Sequence, residues 1–239
     1  MKNDIIIKQC DSLQWLGEAA VQKQLKVDCI VTDPPYWTLD KWRKIGTTTR
    51  LGGHKDPNKR REDMWFPTID SDDLWQAFCN LGEILADNAH AYIFCDHEVL
   101  VYLLKWARES EMSDVFNYSK PLVWDKINPG MGYHWRAQTE YIVMLEKGKR
   151  RLNNLSWPDI LKHKRVSGKG HYPTEKPLAL ISQLIENSTV EGETVLDPFC
   201  GSGVVGEACE RLNRNAILLD IKKEAIQFTQ DRLKQSYLF

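Results

Sequence analysis

Two short stretches of the chain gather residue types that could do chemistry. The first is Asp33-Pro34-Pro35-Tyr36, which follows the apolar run Val27-Asp28-Cys29-Ile30-Val31. Proline has no amide hydrogen and stiffens the chain, so this pair is expected to leave its carbonyls free as acceptors. A carboxylate, a fixed carbonyl and an aromatic face suit a planar group with an exocyclic amine, held by the acceptors while its ring stacks on Tyr36. The plainer reading is a strand-ending turn, where Asp-Pro and Pro-Pro are ordinary punctuation, and these residues alone leave both open.

The second is Asp197-Pro198-Phe199-Cys200-Gly201-Ser202-Gly203-Val204-Val205-Gly206, again after an apolar run and at the start of a helical pattern. Glycines there allow a tight turn and let a ligand approach the backbone. Asp220 ends the next apolar run, nineteen positions beyond Gly201, where a carboxylate can accept both ribose hydroxyls of an adenosine. The spacing Gly201-x-Gly203-x-x-Gly206 also satisfies the dinucleotide fingerprint, so NAD is an alternative on the glycines alone. A phosphate-binding P-loop is excluded, because Glu207 stands where lysine is required.

Both motifs need strands to hold them. Apolar runs predict strands at 5–7, 27–31, 91–95, 121–124, 141–145, 194–196 and 216–219. Between them, helices are predicted from Leu13 to Leu25, from the caps Asp70 and Ser71 through Leu85, and from Glu98 to Arg108. Three more run from Pro177 through Ile185, from Gly203 to Leu212 and from Lys222 to Lys234. The alternation predicts an α/β fold: a mostly parallel, doubly wound, seven-stranded sheet with helices on both faces. Ligands of such sheets bind beyond the carboxyl ends of strands, where both motifs lie. One domain over residues 1–239 is expected, with the irregular stretches 37–69 and 147–170 as insertions.

The 239 residues are 42% hydrophobic and 27% charged, which fits a globular protein rather than a disordered one. The longest apolar run, Val99 to Leu104, is six residues, against about 20 for a bilayer span. That, and an N-terminus without the apolar stretch of a secretory signal, predicts a soluble cytoplasmic protein with no membrane partner. Six cysteines without a C-x-x-C pair predict buried thiols rather than disulfides, and no metal. A net charge of −1 argues by itself against a nucleic-acid binder. The distribution reverses that: residues 38–61 hold eight basic and two acidic side chains, residues 147–170 eight and one, leaving about −14 on the rest. Two basic segments in an acidic chain suit a polyanion-binding face, with two solvated loops as the alternative.

Asp-Pro-Pro-Tyr after one strand, with Asp-Pro-Phe-Cys-Gly-Ser-Gly far downstream, resembles the amino-group DNA methyltransferases that use S-adenosylmethionine. Catalytic motif first and cofactor motif last is similar to the circularly permuted order of their β class, and the likeness covers nearly the whole chain. Cys10-Asp11-Ser12 resembles the turn that these enzymes place beside the cofactor's adenine. His171-Tyr172-Pro173-Thr174-Glu175-Lys176-Pro177 resembles their His-Pro-Thr-x-Lys-Pro segment, with Tyr172 inserted. Trp124-Asp125-Lys126 and Glu140-Tyr141-Ile142 resemble their later motifs. The NAD alternative explains the glycine turn and nothing else.

The resemblance implies a Rossmann-like methyltransferase fold, circularly permuted, and methyl transfer to N6 of adenine in double-stranded DNA by base flipping and direct displacement. N4 of cytosine is the alternative, with an RNA substrate or a non-catalytic DNA-binding protein behind it. In that family Asp as the first motif residue favours adenine, and Ser favours cytosine. Asp33, Pro34, Pro35 and Tyr36 are then the catalytic turn. The cofactor is expected among Asp11, Ser12, Asp33, Thr174, Lys176, Asp197, Phe199, Gly201, Ser202, Gly203 and Asp220. Of these, Asp220 would take the ribose, and Thr174 and Lys176 the polar end of the methionine portion. Cys200 lies in the cofactor turn, and the Pro-Cys dipeptide of carbon-5 cytosine enzymes is absent, so no covalent nucleophile is expected. DNA is expected on Lys41, Arg43, Lys44, Arg50, Lys55, Lys59, Arg60 and Arg61, and on Arg150, Arg151, Lys162, Lys164 and Arg165. Trp37, Trp42 and Trp65 would stack on bases or pack their loop. A separate restriction endonuclease is an admissible partner, and the chain would act as a monomer or homodimer.

Overall fold

The computed structural model of the chain describes residues 3–39, 67–130, 134–166, 172 and 174–236. Its strands are β1 (Ile5–Gln9), β2 (Val27–Thr32), β3 (Leu85–Cys95), β4 (Tyr118–Asp125), β5 (Thr139–Lys147), β6 (Ile160–Lys162), β7 (Thr194–Asp197) and β8 (Asn215–Asp220). Its helices are α1 (Ser12–Gln22), α2 (Ser71–Ile84), α3 (His97–Glu109), α4 (Leu178–Ser188), α5 (Val204–Arg211) and α6 (Lys223–Ser236). The strands form one sheet in the order β1-β8-β7-β2-β3-β5-β4-β6. β5 runs antiparallel to both its neighbours, and every other pairing is parallel.

The apolar runs are continuous because both faces of the sheet are covered. Successive strand residues point to opposite faces. On β3, Ala91, Ile93 and Cys95 join the core beneath α1, α2 and α3, while Tyr92 and Phe94 join the core beneath α4, α5 and α6. On β8, Ile217 and Leu219 belong to the first core, and Ala216 and Leu218 to the second. Asp11, Asp70 and Asp96 start α1, α2 and α3, each accepting two amide hydrogens at the helix N-terminus. No helix among the described residues is long and apolar enough to cross a membrane. All six cysteines are free thiols; Cys29, Cys95, Cys200 and Cys209 are buried, and Cys10 and Cys79 half-buried.

Three elements differ from the sequence reading. The sheet has eight strands rather than seven, because β6 pairs with β4 inside the stretch read as irregular. Three residues are too few to show a period. Leu85, read as the end of α2, opens β3 instead. The polar pair Asp87-Asn88, with Asn88 at φ 61° and a register shift against β2, hides the first half of that strand. α1 stops at Gln22, before Leu25, because Lys23 takes a left-handed cap conformation.

Strand order places β7 beside β2 at a topological switch. β2 leads through α2 to β3 on one side, and β7 leads through α5 to β8 on the other. Connections that diverge this way open a crevice at the carboxyl ends. Asp197 ends β7, and Asp33 directly follows β2.

Candidate active site

The turn after β2 is tightly bonded. The Tyr36 amide donates to the Pro34 carbonyl at 3.0 Å, and the Ile69 amide to the Pro35 carbonyl at 2.8 Å. The expectation that both proline carbonyls are free is therefore corrected: each has one lone pair engaged, and Pro34 keeps the other. Tyr36 is buried, bridged to Ile69 in parallel fashion, and packs in the core beneath α1, α2 and α3. Burial pushes its phenol well up, so the hydroxyl keeps its proton. The Thr38 hydroxyl, in the short helical turn Trp37–Leu39, donates to the Asp96 carboxylate that caps α3. The turn after β2 is thus tied to the end of β3.

Lys176 reaches this turn rather than standing apart from it. Its ammonium donates to the Asp33 carboxylate and lies 3.6 Å from Glu140 Oε2. Glu140 Oε1 is in turn 3.0 Å from Lys126 Nζ. The four groups alternate in sign, and the Lys176 ammonium also sits 5.2 Å from the centre of the Phe94 ring. Burial works against the Lys176 ammonium, but the Asp33 and Glu140 carboxylates outweigh it and push its pKa up. Burial pushes the Asp33 carboxyl up, opposed by the charge and hydrogen bond of Lys176. For Glu140 burial is again the largest influence, yet Lys176 and Lys126 together hold it below the usual range. The sequence reading placed Glu140 and Lys126 in motifs without giving them a role. The signal was their position at the facing ends of β4 and β5, where Trp124 pairs with Glu140.

The glycine turn after β7 sits beside the turn after β2. The Thr32 hydroxyl, last residue of β2, donates to Asp197 at 3.0 Å, and the Phe199 amide donates to the same oxygen at 3.1 Å. Asp197 is buried and has no ion-pair partner among the described residues. Burial is the main reason that its carboxyl is pushed up to about 7, with Asp33 and Asp220 adding to the rise. Gly201 (φ 46°) and Gly203 (φ 72°) adopt left-handed backbone that other residues resist. A Cβ on Gly203 would also stand 2.6 Å from Thr229 Cγ2, so this turn closes only with glycine. Cys200 is buried and burial pushes its thiol up, which disfavours the thiolate a nucleophile requires.

Around this turn the structure collects most of the expected cofactor residues. Asp220 Oδ2 accepts the Gly201 amide at 3.0 Å, and Oδ1 accepts the Lys222 amide at 2.8 Å. Asp11 caps α1, and the buried Ser12 hydroxyl donates to the Pro198 carbonyl. Phe199 is half-buried and Ser202 buried. Tyr172, the inserted residue, lies beside Gly201 and packs edge-on against Phe228 at 5.5 Å. Thr174 is exposed, at φ 66°. Next to it Glu175 pairs with Arg232 at 2.6 Å, and Arg232 with Glu207 at 3.0 Å, fastening the segment to α5 and α6. Lys176 is the member whose expected role shifts, from the cofactor's polar end to Asp33.

A family model described as DNA methylase, for N6 and N4 enzymes, matches residues 27–231, well over half of the chain. The chain belongs to the N6/N4 DNA methylase family. Among curated relatives it is 31% identical over 176 residues to the type II methyltransferase M.HhaII of Haemophilus parahaemolyticus, covering 71% of this chain and 74% of that one. It is 27% identical to M2.DpnII of Streptococcus pneumoniae, covering 98% and 91%. The crystal structure of the M1.HpyAVI–SAM complex superposes with a TM-score of 0.66 at 26% identity, covering 95% of this chain and 99% of that one.

In this methylase the basic stretch 147–170 divides. Arg150 holds Glu193 with both guanidinium nitrogens, at 3.0 and 2.6 Å, and Glu193 precedes β7. Arg150 and its exposed neighbour Arg151 follow β5, which is antiparallel, so both lie at the amino ends of the parallel strands. That sets them at the end of the sheet opposite Asp33. Lys162 pairs in register with Asp125 at the carboxyl end of β4, and Lys164 and Arg165 follow it, all three exposed. Lys41, Arg43, Lys44, Arg50, Lys55, Lys59, Arg60, Arg61, Trp42 and Trp65 lie outside the described residues. Trp37 packs edge-on against Tyr102 of α3 at 5.3 Å.

Proposed function

We propose that this methylase moves a methyl group from S-adenosylmethionine to N6 of an adenine extruded from double-stranded DNA. The observation that carries this is the junction at the carboxyl ends of β2 and β7. There the catalytic turn and the glycine turn share one hydrogen bond, Thr32 to Asp197. Asp33 and Asp220 both push the pKa of Asp197 up in this crevice, with Lys176 bonded to Asp33. An excess of carboxylates, one buried and two part-buried, suits a cationic ligand, and the left-handed glycines leave the backbone beside them bare. When bound, S-adenosylmethionine supplies an electrophilic methyl group on a positively charged sulfur. Asp220, Asp11 and Ser12 would hold its adenosine end, and Phe199, Gly201 and Gly203 the methionine portion.

The chain's own residues then act on the base. Asp33 and the remaining lone pair of the Pro34 carbonyl accept the hydrogens of the exocyclic amine. That turns the nitrogen lone pair toward the methyl group and stabilises the positive charge that grows on nitrogen. Lys176 keeps Asp33 in place while it does so. Most of the acceleration comes from alignment of the reacting atoms. Extruding the base costs a few kcal/mol, offset by its contacts in the pocket. Asp33 at the head of its motif supports adenine, since Ser favours N4 of cytosine in the family. Incubation with tritiated S-adenosylmethionine and mixed-sequence duplex, then digestion to nucleosides, tests both atom and base. Label in the deoxynucleoside of N6-methyladenine is expected; label in N4-methylcytosine would overturn the adenine assignment and keep the mechanism.

A further inference from the structure

The connection between β4 and β5 projects from the same end of the sheet as Asp33, since β4 runs parallel to β2 and β3. Its base is pinned. Asp125 Oδ1 accepts both the Ile127 amide and the Gln138 side chain at 2.8 Å, and the Lys126 amide donates to the Gln138 carbonyl at 2.9 Å. Further out, the Gly130 amide donates to the Ala137 carbonyl, and Arg136 Nε to the Gly130 carbonyl at 2.6 Å. A connection so well bonded would be expected to fold its apolar side chains inward. It does the opposite. The indole of Trp135 is fully exposed and Ile127 is half exposed. Ile127 is also held at φ 69°, a left-handed conformation that β-branched residues rarely adopt. Strain of this kind persists where the surroundings impose it, often at ligand contacts.

Its surroundings narrow the partner. Trp135 lines a surface concavity with His134 and Arg136. Lys162, Lys164 and Arg165 are exposed beyond β6, the strand next to β4. At the base of the connection, Lys126 bonds to Glu140, which neighbours Lys176 and through it Asp33. An exposed indole beside Arg136, on a connection whose base is three ion pairs from the Asp33 carboxylate, fits a stacked and negatively charged polymer better than it fits an apolar protein surface.

We infer that the described residues of this connection, 126–130 and 134–138, contact DNA and that Trp135 stacks on a base of the duplex beside the extruded nucleotide. The inference rests on the function proposed above and extends it to a residue that is neither catalytic nor in the cofactor site. Aromatic stacking on a base is worth roughly 1–3 kcal/mol, about 5- to 150-fold in affinity.

The test compares wild type, Trp135→Ala and Trp135→Phe for binding to a fluorescent duplex by anisotropy over a range of salt. S-adenosylmethionine affinity is measured by calorimetry and association state by sedimentation. Trp135→Ala should lose about tenfold or more in DNA affinity, with the salt slope, cofactor affinity and Tm unchanged, and Trp135→Phe should recover most of the loss. Wild-type DNA affinity in Trp135→Ala would overturn the inference. So would a change in association state with DNA affinity unchanged, which would assign the indole to a second copy of the chain. A wild type that binds duplex in a Trp135-dependent way yet transfers no methyl group would sustain this contact and overturn the proposed reaction.

Discussion

The two ends of the sheet carry polar clusters of similar richness and opposite character. At the amino ends, His90, Ser188 and Glu146 come together much as a catalytic triad does: His90 Nδ1 is 2.8 Å from Ser188 Oγ, and Nε2 is 3.7 Å from Glu146. Yet His90 and Ser188 are fully buried, Tyr92 takes the serine from the other side at 2.6 Å, and burial pushes the imidazole pKa down. Arg150 closes on Glu193, and Arg214 on the Thr189 hydroxyl and carbonyl. Apart from the buried His90 Nε2, which lacks a hydrogen-bond partner, those groups spend their hydrogen-bonding capacity on each other or on nearby backbone. At the carboxyl ends Asp33 is part-exposed, Pro34 keeps a lone pair, and Asp197 and Asp220 sit in the crevice without ion-pair partners among the described residues. Unspent capacity facing a crevice separates a site from a well-made core.

The sharpest way to break this comparison is Asp33→Ala. Removal of a group that stabilises charge only in the transition state should lower methyl transfer by about 100- to 1,000-fold or more, with cofactor affinity and Tm close to wild type. Single-turnover transfer of tritium to duplex reads it. Rates within about tenfold of wild type would place the chemistry elsewhere.

Lys176→Met should follow. It leaves Asp33 without its cation and Glu140 with one of two, at a cost of about 3 kcal/mol, lessened because a third of Asp33 is exposed. Without the ammonium, burial raises the Asp33 carboxyl further. The rising limb of the pH–rate profile, where Asp33 ionises, should then move to higher pH, and Lys176→Arg should restore much of its position. A limb that stays put in Lys176→Met would return this lysine to the cofactor's polar end.

Asp197 gives a smaller effect of opposite sense. Its carboxyl is raised from 3.8 to about 7, so between those values the folded protein holds a proton that the unfolded chain has released. Stability from this group is therefore greatest at low pH and falls as pH rises from about 4 through about 7. Asp197→Asn should flatten that part of the curve of Tm against pH. An unchanged slope would mean that another group sets it.

Much of the fold was legible in the sequence because strands covered on both faces are unbroken apolar runs, and because Asp70 stands where a helix cap must; the caps Asp11 and Asp96 went unread. Asp33 and Asp197 were legible as acids directly after such runs. The partner of Lys176 was not, since only strand order brings a residue 143 positions away onto Asp33. Trp135 passed unremarked because exposure has no local signature. The basic stretch 147–170 was read as one arm for a topological reason. β5 is antiparallel and delivers the chain to the amino ends, and β6 is parallel and returns it, so a contiguous run of charge crosses the sheet.

That crossing yields the smallest and most discriminating expectation. If the carboxyl ends alone face DNA, Lys164→Ala with Arg165→Ala should reduce the slope of log affinity against log salt by about 2 and weaken binding several-fold at moderate salt. Arg150→Ala removes a cation from the same stretch of sequence and should leave that slope untouched, because its guanidinium is engaged by Glu193 at the far end of the sheet. Its effect belongs in stability instead, since Glu193 loses a two-point partner. Equal changes of slope in the two variants would mean that DNA reaches both ends of the sheet, and the contrast between an open end and a closed one would fail with it.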